Sequence, residues 1–298
     1  MAIVGRAALG LLCVAPQLCR AASSGGTRTV YIVRHAESRW NAAWKRLNVA
    51  AMMAERDHGL TVVGVDQSAS LAGVLVGLPI SLGAPGAILA ASPLCRALQT
   101  AAIALCAAGV HSPSSILVLP DARESGGRLG FGRDSAGTPV DELVDNLVAE
   151  LRGSGARVAA SQLRRGELAL DLRRLRALQC TGRSWWLPLE SAADKRARLR
   201  RLLAELFQLA SGGEDGVQPR VVLVSHSYVL RDLLLEHVDE SAPFARSEAR
   251  LALVRRSVPN CAVLALDLAV DVGGEASGVT ARTRIVGAQV LASGAAAS

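Results

Sequence analysis

Aromatic side chains are scarce in this sequence of 298 residues: phenylalanine, tryptophan and tyrosine make up only 3% of it, although half of its residues are hydrophobic. The core must therefore be built mainly from alanine, valine and leucine. The sequence also lacks an apolar stretch of about 20 residues, the length that a membrane-spanning helix needs, so no membrane span is predicted. Its length suits one large domain or two small ones.

Several sequence motifs are missing too. None of the six cysteines belongs to a C-x-x-C pair, no cluster of cysteine and histidine resembles a zinc site, and there is no GxxxxGKS/T phosphate-binding loop. The net charge of +7 favours anionic partners in general, but no basic run alternates with aromatic residues, so nucleic acid is not a predicted partner. No metal or other cofactor is predicted, and arginine and histidine must balance the charge of an anionic substrate.

The first 26 residues contain no acidic side chain, and Glu37 is the first in the chain. Arg6 precedes an apolar run at 7–15, and small and polar residues follow. This pattern is typical of a cleaved targeting segment, either secretory or organellar; the alternative is a disordered, alanine-rich tail, which would leave the protein cytoplasmic. The other end, residues 288–298, is predicted to be a disordered tail. One domain is predicted between them, at 27–287.

Four predicted β-strands end in polar or charged residues. The apolar runs at 30–33, 87–91, 115–119 and 220–224 are followed by Arg34 and His35, by Ser92, by a short link to Glu124, and by His226. Predicted helices separate these strands, which indicates an α/β fold with a mainly parallel sheet. The carboxyl ends of the strands then share one edge, where ligands bind in such sheets.

Helices are predicted at 42–56, 61–76, 93–107, 139–152, 158–178, 192–209 and 229–237, and a later strand at 260–268. Ser92 is the predicted cap of the third helix, and Pro93 suits its first turn. Arg96 lies in that turn, at the same edge as His35. The N-terminus of this helix would add backbone donors and a favourable dipole for an anion.

The residues that converge at this edge are two imidazoles, two guanidiniums and a carboxylate. Guanidinium groups form bidentate, charge-assisted hydrogen bonds with phosphate oxygens. An unprotonated imidazole is a nucleophile toward phosphorus, and a carboxylic acid can protonate the leaving oxygen. The set therefore predicts phosphoryl-group chemistry.

The motifs around these residues resemble those of the histidine phosphatase superfamily, which has the phosphoglycerate mutase-like fold. They are RHAESRWN at 34–41, LTVVGVDQ at 60–67, SPLCRALQTA at 92–101, ARE at 122–124, VSHS at 224–227 and NC at 260–261. The resemblance covers roughly residues 28–270. It implies a three-layer α/β sandwich with a mainly parallel central sheet, helices on both faces and a helical cap insertion, expected at 125–193.

The resemblance also implies the main catalytic roles. His35 attacks phosphorus and becomes phosphohistidine. Arg34, Arg96 and His226 hold the phosphoryl oxygens and stabilise the charge of the transition state. Glu124 protonates the leaving group and then activates water against the phosphoenzyme.

Other residues of the motifs have supporting or alternative roles. Asn41 and Ser227 are predicted to contact the substrate, and Asp121 and Glu37 are the alternatives to Glu124 as the acid. Ala36 and Ser227 stand where the family commonly has glycine, which could distort the backbone locally. Further candidate substrate contacts in the cap are Arg128, Arg133, Arg164, Arg165, Trp185 and Trp186. The remaining histidines, expected on surfaces or at helix ends, are His58, His111 and His237.

The reaction implied is the metal-independent hydrolysis of a phosphomonoester, as in phosphatases of the histidine acid phosphatase type. Two alternatives stay open: phosphoryl transfer of the phosphoglycerate mutase type, and a catalytically idle relative that binds phosphorylated ligands. The stretch after Asn41 lacks the continuation found in the family's mutases, which favours hydrolysis. The expected partner is a phosphorylated small molecule or a phosphoprotein. Sugar phosphates, nucleotides and phosphoproteins all remain possible substrates, and the sequence leaves the oligomeric state open.

Overall fold

The computed structural model of the chain describes residues 26–77, 86–110, 114–124, 134–186, 190–212, 219–255, 257–271 and 282–293. The predicted targeting segment lies almost entirely outside these residues. Three residues named from the sequence also lie outside them: His111, Arg128 and Arg133.

One sheet organises the described part of the chain. Its seven strands are β1 (Arg28–Arg34), β2 (Ala87–Ala91), β3 (Ser114–Val118), β4 (Leu168–Asp171), β5 (Arg220–Ser225), β6 (Val263–Asp271) and β7 (Arg282–Ala292), in the spatial order β4-β3-β2-β5-β1-β6-β7. Strands β1 to β5 run parallel to one another, whereas β6 is antiparallel to both of its neighbours, β1 and β7. The prediction of a mainly parallel α/β sheet is confirmed.

Helices cover both faces of this sheet. They are α1 (Arg39–Lys45), α2 (Val49–Ala54), α3 (Val62–Gly77), α4 (Cys95–Ala107), α5 (Leu143–Gly153), α6 (Arg157–Arg165), α7 (Arg173–Cys180), α8 (Ala192–Ser211), α9 (Ser227–Glu236) and α10 (Glu248–Arg255). The core on one face includes α3 to α7, and the core on the other includes α8 and α9. The molecule therefore has three layers, as expected, and no helix of the described segments has the length and apolar character to cross a bilayer.

The apolar runs form strands because the sheet buries both of their faces. In β5, Val221 and Leu223 face the α8–α9 side, while Val222 and Val224 face the α4 side. All four are at most 1% exposed. Continuous branched apolar residues, rather than alternation with polar ones, are what a strand buried on both sides requires. The result fixes the carboxyl ends of β1, β2 and β5 side by side.

The prediction of one continuous helix at 158–178 is wrong, because strand β4 separates α6 from α7 in this range. Helix α6 ends at Gly166, whose φ of +71° is the left-handed conformation that glycine adopts readily at helix ends. The following strand, Leu168–Asp171, pairs with β3 and covers its outer edge. Part of the predicted cap insertion, 125–193, is thus a strand of the sheet, and a cap over the site stays a prediction.

Two other predicted boundaries differ from the structure. The helix predicted at 42–56 is divided into α1 and α2 by residues 46–48, where Leu47 has a positive φ of 52°. The disorder predicted at 288–298 is wrong for 288–292, which lie in β7 and pair with β6. This pairing occupies the edge of β6 that would otherwise leave its backbone groups without strand partners.

His237 makes the stability of the fold sensitive to acid. Its ring is 3% exposed, and neither ring nitrogen has a hydrogen-bond partner within the described residues. Burial, aided by Arg282 and Arg200, lowers its pKa from 6.5 to about 4. The folded state therefore excludes a proton that the unfolded state binds. We expect this group to reduce the free energy of unfolding as the pH falls from about 6.5 to 4, by up to roughly 3 kcal/mol.

Denaturant unfolding at about pH 7 and about pH 4.5 tests this, with His237→Phe as the comparison because it removes the titrating ring. His35 and His226 titrate in both proteins, so the difference between them isolates His237. The variant should lose less stability on acidification than the wild type. Equal losses would contradict the prediction.

Candidate active site

His35 follows the last residue of β1 and is oriented by two backbone contacts. Its main-chain N–H donates to the carbonyl oxygen of Ser225 over 2.9 Å, and its ring Nδ1 lies 2.7 Å from the carbonyl oxygen of Ala36. A carbonyl oxygen can only accept, so Nδ1 carries the hydrogen and Nε2 keeps its lone pair. Burial, followed by the charges of Arg96 and Arg34, holds the pKa of His35 well below its usual value. The ring is therefore neutral, as a nucleophile must be.

Arg34 and Arg96 reach this edge from different elements. Arg34 ends β1, and its Nη1 donates to the carbonyl oxygen of Val258 and to Ser257 Oγ. Its buried Nε has no hydrogen-bond partner within the described residues. Arg96 projects from the first turn of α4, is 1% exposed, and donates from Nη2 to Glu124 Oε2 over 2.7 Å.

The second histidine lies against the first. The rings of His35 and His226 have their centroids 5.1 Å apart. His226 Nε2 lies 2.8 Å from Ser92 Oγ, and its Nδ1 lies 3.7 Å from Glu124 Oε2. Burial, then the charges of Arg96, His35 and Arg34, lowers the pKa of His226 well below its usual value.

Glu124 lies beside both Arg96 and His226. Burial raises the pKa of its carboxyl group, although the adjacent Arg96 opposes this. A carboxylic acid that keeps its proton closer to neutral pH is suited to protonate a leaving group. The alternatives are engaged elsewhere: the Glu37 carboxylate pairs with Lys45, and Asp121 pairs with Arg201.

The donor set of the site favours an anion over a cation. One ligand atom from each of His35, Glu124 and His226 lies within 4.8 Å of the others, a spacing that could hold a metal ion. However, the guanidiniums of Arg34 and Arg96 lower the pKa of both imidazoles, so they repel positive charge at the same point. A dianionic phosphoryl group is attracted by both guanidiniums.

Asn41 and Ser227, predicted to contact substrate, both have structural partners. Asn41 is the third residue of α1 and forms a capping box with Ser38, and its Oδ1 also accepts from Asn260 Nδ2 over 3.3 Å. Ser227 begins α9, and its Oγ accepts from the main-chain N–H of Val258 over 3.2 Å. These contacts hold the loops around His35 and His226.

Alanine at position 36 does not strain the backbone. The described non-glycine residues with positive φ are Leu47, Asp57 and Cys261, so Ala36 does not need the conformation that favours glycine. Its main-chain N–H donates to Thr100 Oγ1 over 3.1 Å, and its methyl group is fully buried. The local distortion expected from the sequence is therefore absent at this described residue.

The start of α4 differs from the sequence prediction. The helix begins at Cys95 rather than Pro93, and Asp57 Oδ1 accepts from the main-chain N–H of Cys95 over 2.8 Å. Ser92 Oγ accepts from Leu94 N–H and contacts His226 instead. The Cys95 donor is thus already occupied by a carboxyl group, whose pKa burial raises to about 7. The N-terminus of α4 therefore has fewer free main-chain N–H donors for an anion than the sequence predicts.

Other contacts near the site have only weak sequence signals. The sequence does not predict the contact of Asp134 with Arg96 or that of Ser92 with His226. It places Ser92 only at the end of a strand. His58 was expected on a surface or at a helix end but is 1% exposed. It lies against Asp134, which contacts Arg96. Asn260 Nδ2 donates to the carbonyl oxygen of His35 over 2.8 Å.

A cavity of about 540 Å³ lies beside Arg123, the neighbour of Glu124 in the chain. Its apolar lining includes Leu178 and Trp185, and Asp121 and Arg183 are among its charged lining residues. Trp185 is held in place because its ring packs against Gly137 and its Nε1 donates to Thr138. The volume of the cavity is large enough for a small organic group. Arg165 on α6, another candidate substrate contact, forms an ion pair with Glu167.

Residues 30–133 match the model of the histidine phosphatase superfamily (branch 1). This segment contains Arg34, His35, Arg96 and Glu124 and ends before His226. Over this segment, the resemblance inferred from the sequence motifs is confirmed. Among curated proteins, none matches the chain.

The fold is similar to that of several solved structures. A mycobacterial glucosyl-3-phosphoglycerate phosphatase is 23% identical, with 87% of this chain and 97% of that chain covered and a TM-score of 0.42. The phosphoglycerate mutase from Bacillus anthracis str. Sterne is 17% identical, with coverages of 82% and 88% and a TM-score of 0.43. The ecdysone phosphate phosphatase from Bombix mori, in complex with tungstate, is 17% identical, with coverages of 80% and 88% and a TM-score of 0.48. None of the three bears on the substrate of this chain.

Proposed function

We propose that this protein, a member of the histidine phosphatase superfamily by the match of its residues 30–133, hydrolyses a phosphomonoester through a phosphohistidine intermediate on His35. The observation that carries the proposal is the free Nε2 of His35. Its ring is neutral, is fixed by Ala36, and lies near the guanidiniums of Arg34 and Arg96 and beside a second imidazole. That arrangement combines a nucleophile with the positive charge that a phosphoryl group needs.

The first half-reaction transfers the phosphoryl group to the enzyme. His35 Nε2 attacks phosphorus in line with the leaving oxygen, so a P–N bond forms while the P–O bond breaks. Glu124 gives its proton to the leaving oxygen, which departs as an alcohol. Arg34, Arg96 and His226 stabilise the negative charge on the three non-bridging oxygens.

The second half-reaction returns the enzyme to its starting state. Glu124 is now a carboxylate and takes a proton from water as that water attacks phosphorus. The P–N bond breaks, inorganic phosphate forms, and the lone pair returns to His35 Nε2. Each group therefore ends the cycle in the protonation state in which it began.

The positive charge of the site comes from side chains and from one helix. Helix α9 has ten residues, and its N-cap is His226 itself. The first main-chain N–H groups of this helix therefore point toward the region beside His226, where they favour negative charge. This supports phosphate binding without a metal ion.

Metal independence gives a direct prediction. We expect turnover of p-nitrophenyl phosphate to be unchanged after dialysis against EDTA, because guanidiniums and imidazoles supply the positive charge. The measurement is the initial rate before and after chelation, and again after adding Mg²⁺ or Zn²⁺. A strict requirement for either ion would contradict the proposal.

A substrate panel distinguishes hydrolysis from its alternatives. Sugar phosphates, nucleotides and phosphopeptides are each incubated with the protein, and inorganic phosphate is measured. If the protein hydrolysed none of these compounds and no aryl phosphate, but still bound phosphate, it would be a catalytically idle relative. Faster transfer of the phosphoryl group to a phosphoglycerate than to water would indicate a mutase.

A further inference from the structure

Arg96 is held by contacts at both of its terminal nitrogens. Nη2 donates to Glu124, and Nη1 donates to Asp134 at two atoms: the main-chain oxygen at 3.0 Å and the carboxylate Oδ1 at 3.2 Å. The guanidinium is 1% exposed and Asp134 is 8% exposed. A planar guanidinium anchored at both ends has little freedom to rotate.

We propose that Asp134 is a positioning residue of this site: its carboxylate fixes the Arg96 guanidinium, whose other terminal nitrogen holds Glu124, and its negative charge acts on that site. The proposal rests on the function proposed above. Asp134 has no direct part in the proposed reaction. It contacts Nη1 of Arg96, whereas Glu124, the proposed acid, contacts Nη2.

Asp134 also lies against a third group. His58 Nδ1 lies 3.0 Å from Asp134 Oδ1, the same oxygen that contacts Arg96. His58 is 1% exposed, and its Nε2 lies 3.3 Å from the carbonyl oxygen of Ala51. The buried imidazole limits the space into which the carboxylate can turn, and turning away would break its contact with Arg96.

The charge of Asp134 also acts on Glu124. The charged and titratable groups that influence Glu124 are Arg96 from α4, Arg34 from β1, His226 before α9, His35 after β1, and Asp134. Burial raises the pKa of Glu124 most, Arg96 and Arg34 lower it, and the Asp134 carboxylate raises it. Removal of that negative charge should let Glu124 lose its proton at a lower pH.

Two substitutions separate the charge from the side-chain contact. Asp134→Asn keeps a side-chain oxygen for Arg96 and removes the charge, whereas Asp134→Ala removes the charge and the side-chain contact and leaves only the main-chain oxygen. In each variant we expect the alkaline limb of kcat/KM for an alkyl phosphate to move to lower pH, by on the order of one unit. The limb for p-nitrophenyl phosphate should stay in place, since a good leaving group does not need the acid. A merely structural role for Asp134 would lower both rates without moving one limb.

Binding of inorganic phosphate, measured by calorimetry, tests the positioning of Arg96. We expect Asp134→Asn to bind within about threefold of the wild type and Asp134→Ala to bind about tenfold more weakly, because only the second loses the side-chain contact with the guanidinium. Glu205→Gln is the matched control: it removes a carboxylate from an ion pair with Arg174 on the outer helices and should change neither readout.

An alkaline limb that stays in place in Asp134→Asn would overturn the proposal, and this variant decides the question even if Asp134→Ala does not fold. Failure of the proposed function looks different: the wild type itself would neither bind phosphate nor hydrolyse an ester. A limb that moves only with the alkyl substrate supports the role of Asp134.

Discussion

Replacing His35 by alanine should abolish turnover, with a loss on the order of 10⁴-fold or more, because no other group in the described part of the chain is placed to form the proposed covalent intermediate. The structure gives the physical reason: the lone pair on Nε2 is held in place by the contact of Nδ1 with Ala36. His226, whose ring centroid lies 5.1 Å away, has its Nε2 against Ser92 and is not oriented in the same way.

The measurement has two parts. Initial rates are compared with those of the wild type, and intact mass after brief exposure to substrate reports the phosphoenzyme, which should be labile in acid and stable in base. His237→Phe is the control, because it also removes a buried histidine but at the opposite end of α9. If His35→Ala kept a rate near that of the wild type, or still formed the phosphoenzyme, His35 would not be the nucleophile.

Much of the site can be predicted from the sequence because strand ends are a local property. Runs such as 30–33 and 220–224 must be buried strands, and the residues directly after each run must emerge at the carboxyl edge. Parallel pairing of β1 with β5 then places Arg34 opposite Ser225, which brings His35 and His226 together. No contact had to be known in advance for that step.

The supporting contacts cannot be predicted from the sequence, for an equally physical reason. Asp134 contacts Arg96 although the two lie 38 residues apart in the chain, and no periodic pattern in the sequence indicates such a contact. Strand β4 has no clear signal either, because Leu168–Asp171 is a short edge strand between two helices, and its partner β3 lies far away in the chain. The glycine at 166 is the one local sign that the helix has to end.

The electrostatics of the site also explain why two neutral histidines can share it. Burial and the two guanidiniums lower the pKa of either imidazole, so both rings stay neutral, as the proposed role of His35 requires. The guanidinium of Arg96 is paired with the carboxylate of Asp134, which reduces the net positive charge at this edge. When a dianionic phosphoryl group binds, it offsets that positive charge and favours a hydrogen on His226.

The second large effect on turnover is expected from replacing Glu124, the proposed acid. In Glu124→Gln the carboxyl proton is lost while the shape is kept, so we expect turnover of alkyl phosphates, whose leaving groups are poor, to fall by on the order of 10² or more. The first half-reaction with p-nitrophenyl phosphate should suffer less, because its leaving group departs without a proton. Dephosphorylation still needs Glu124 as a base, so phosphohistidine on His35 should accumulate.

Rapid-quench kinetics with both substrates and intact-mass detection of the phosphoenzyme check this, with Asp121→Asn and Glu37→Gln as matched carboxyl-to-amide controls. Both carboxylates pair with exposed cations, Arg201 and Lys45, so neither substitution should produce the leaving-group dependence. If Glu124→Gln turned over both substrates as well as the wild type and one of the other variants did not, the acid would be that residue. The retained rate would then mean that the contact of Glu124 with Arg96 serves only to hold the guanidinium.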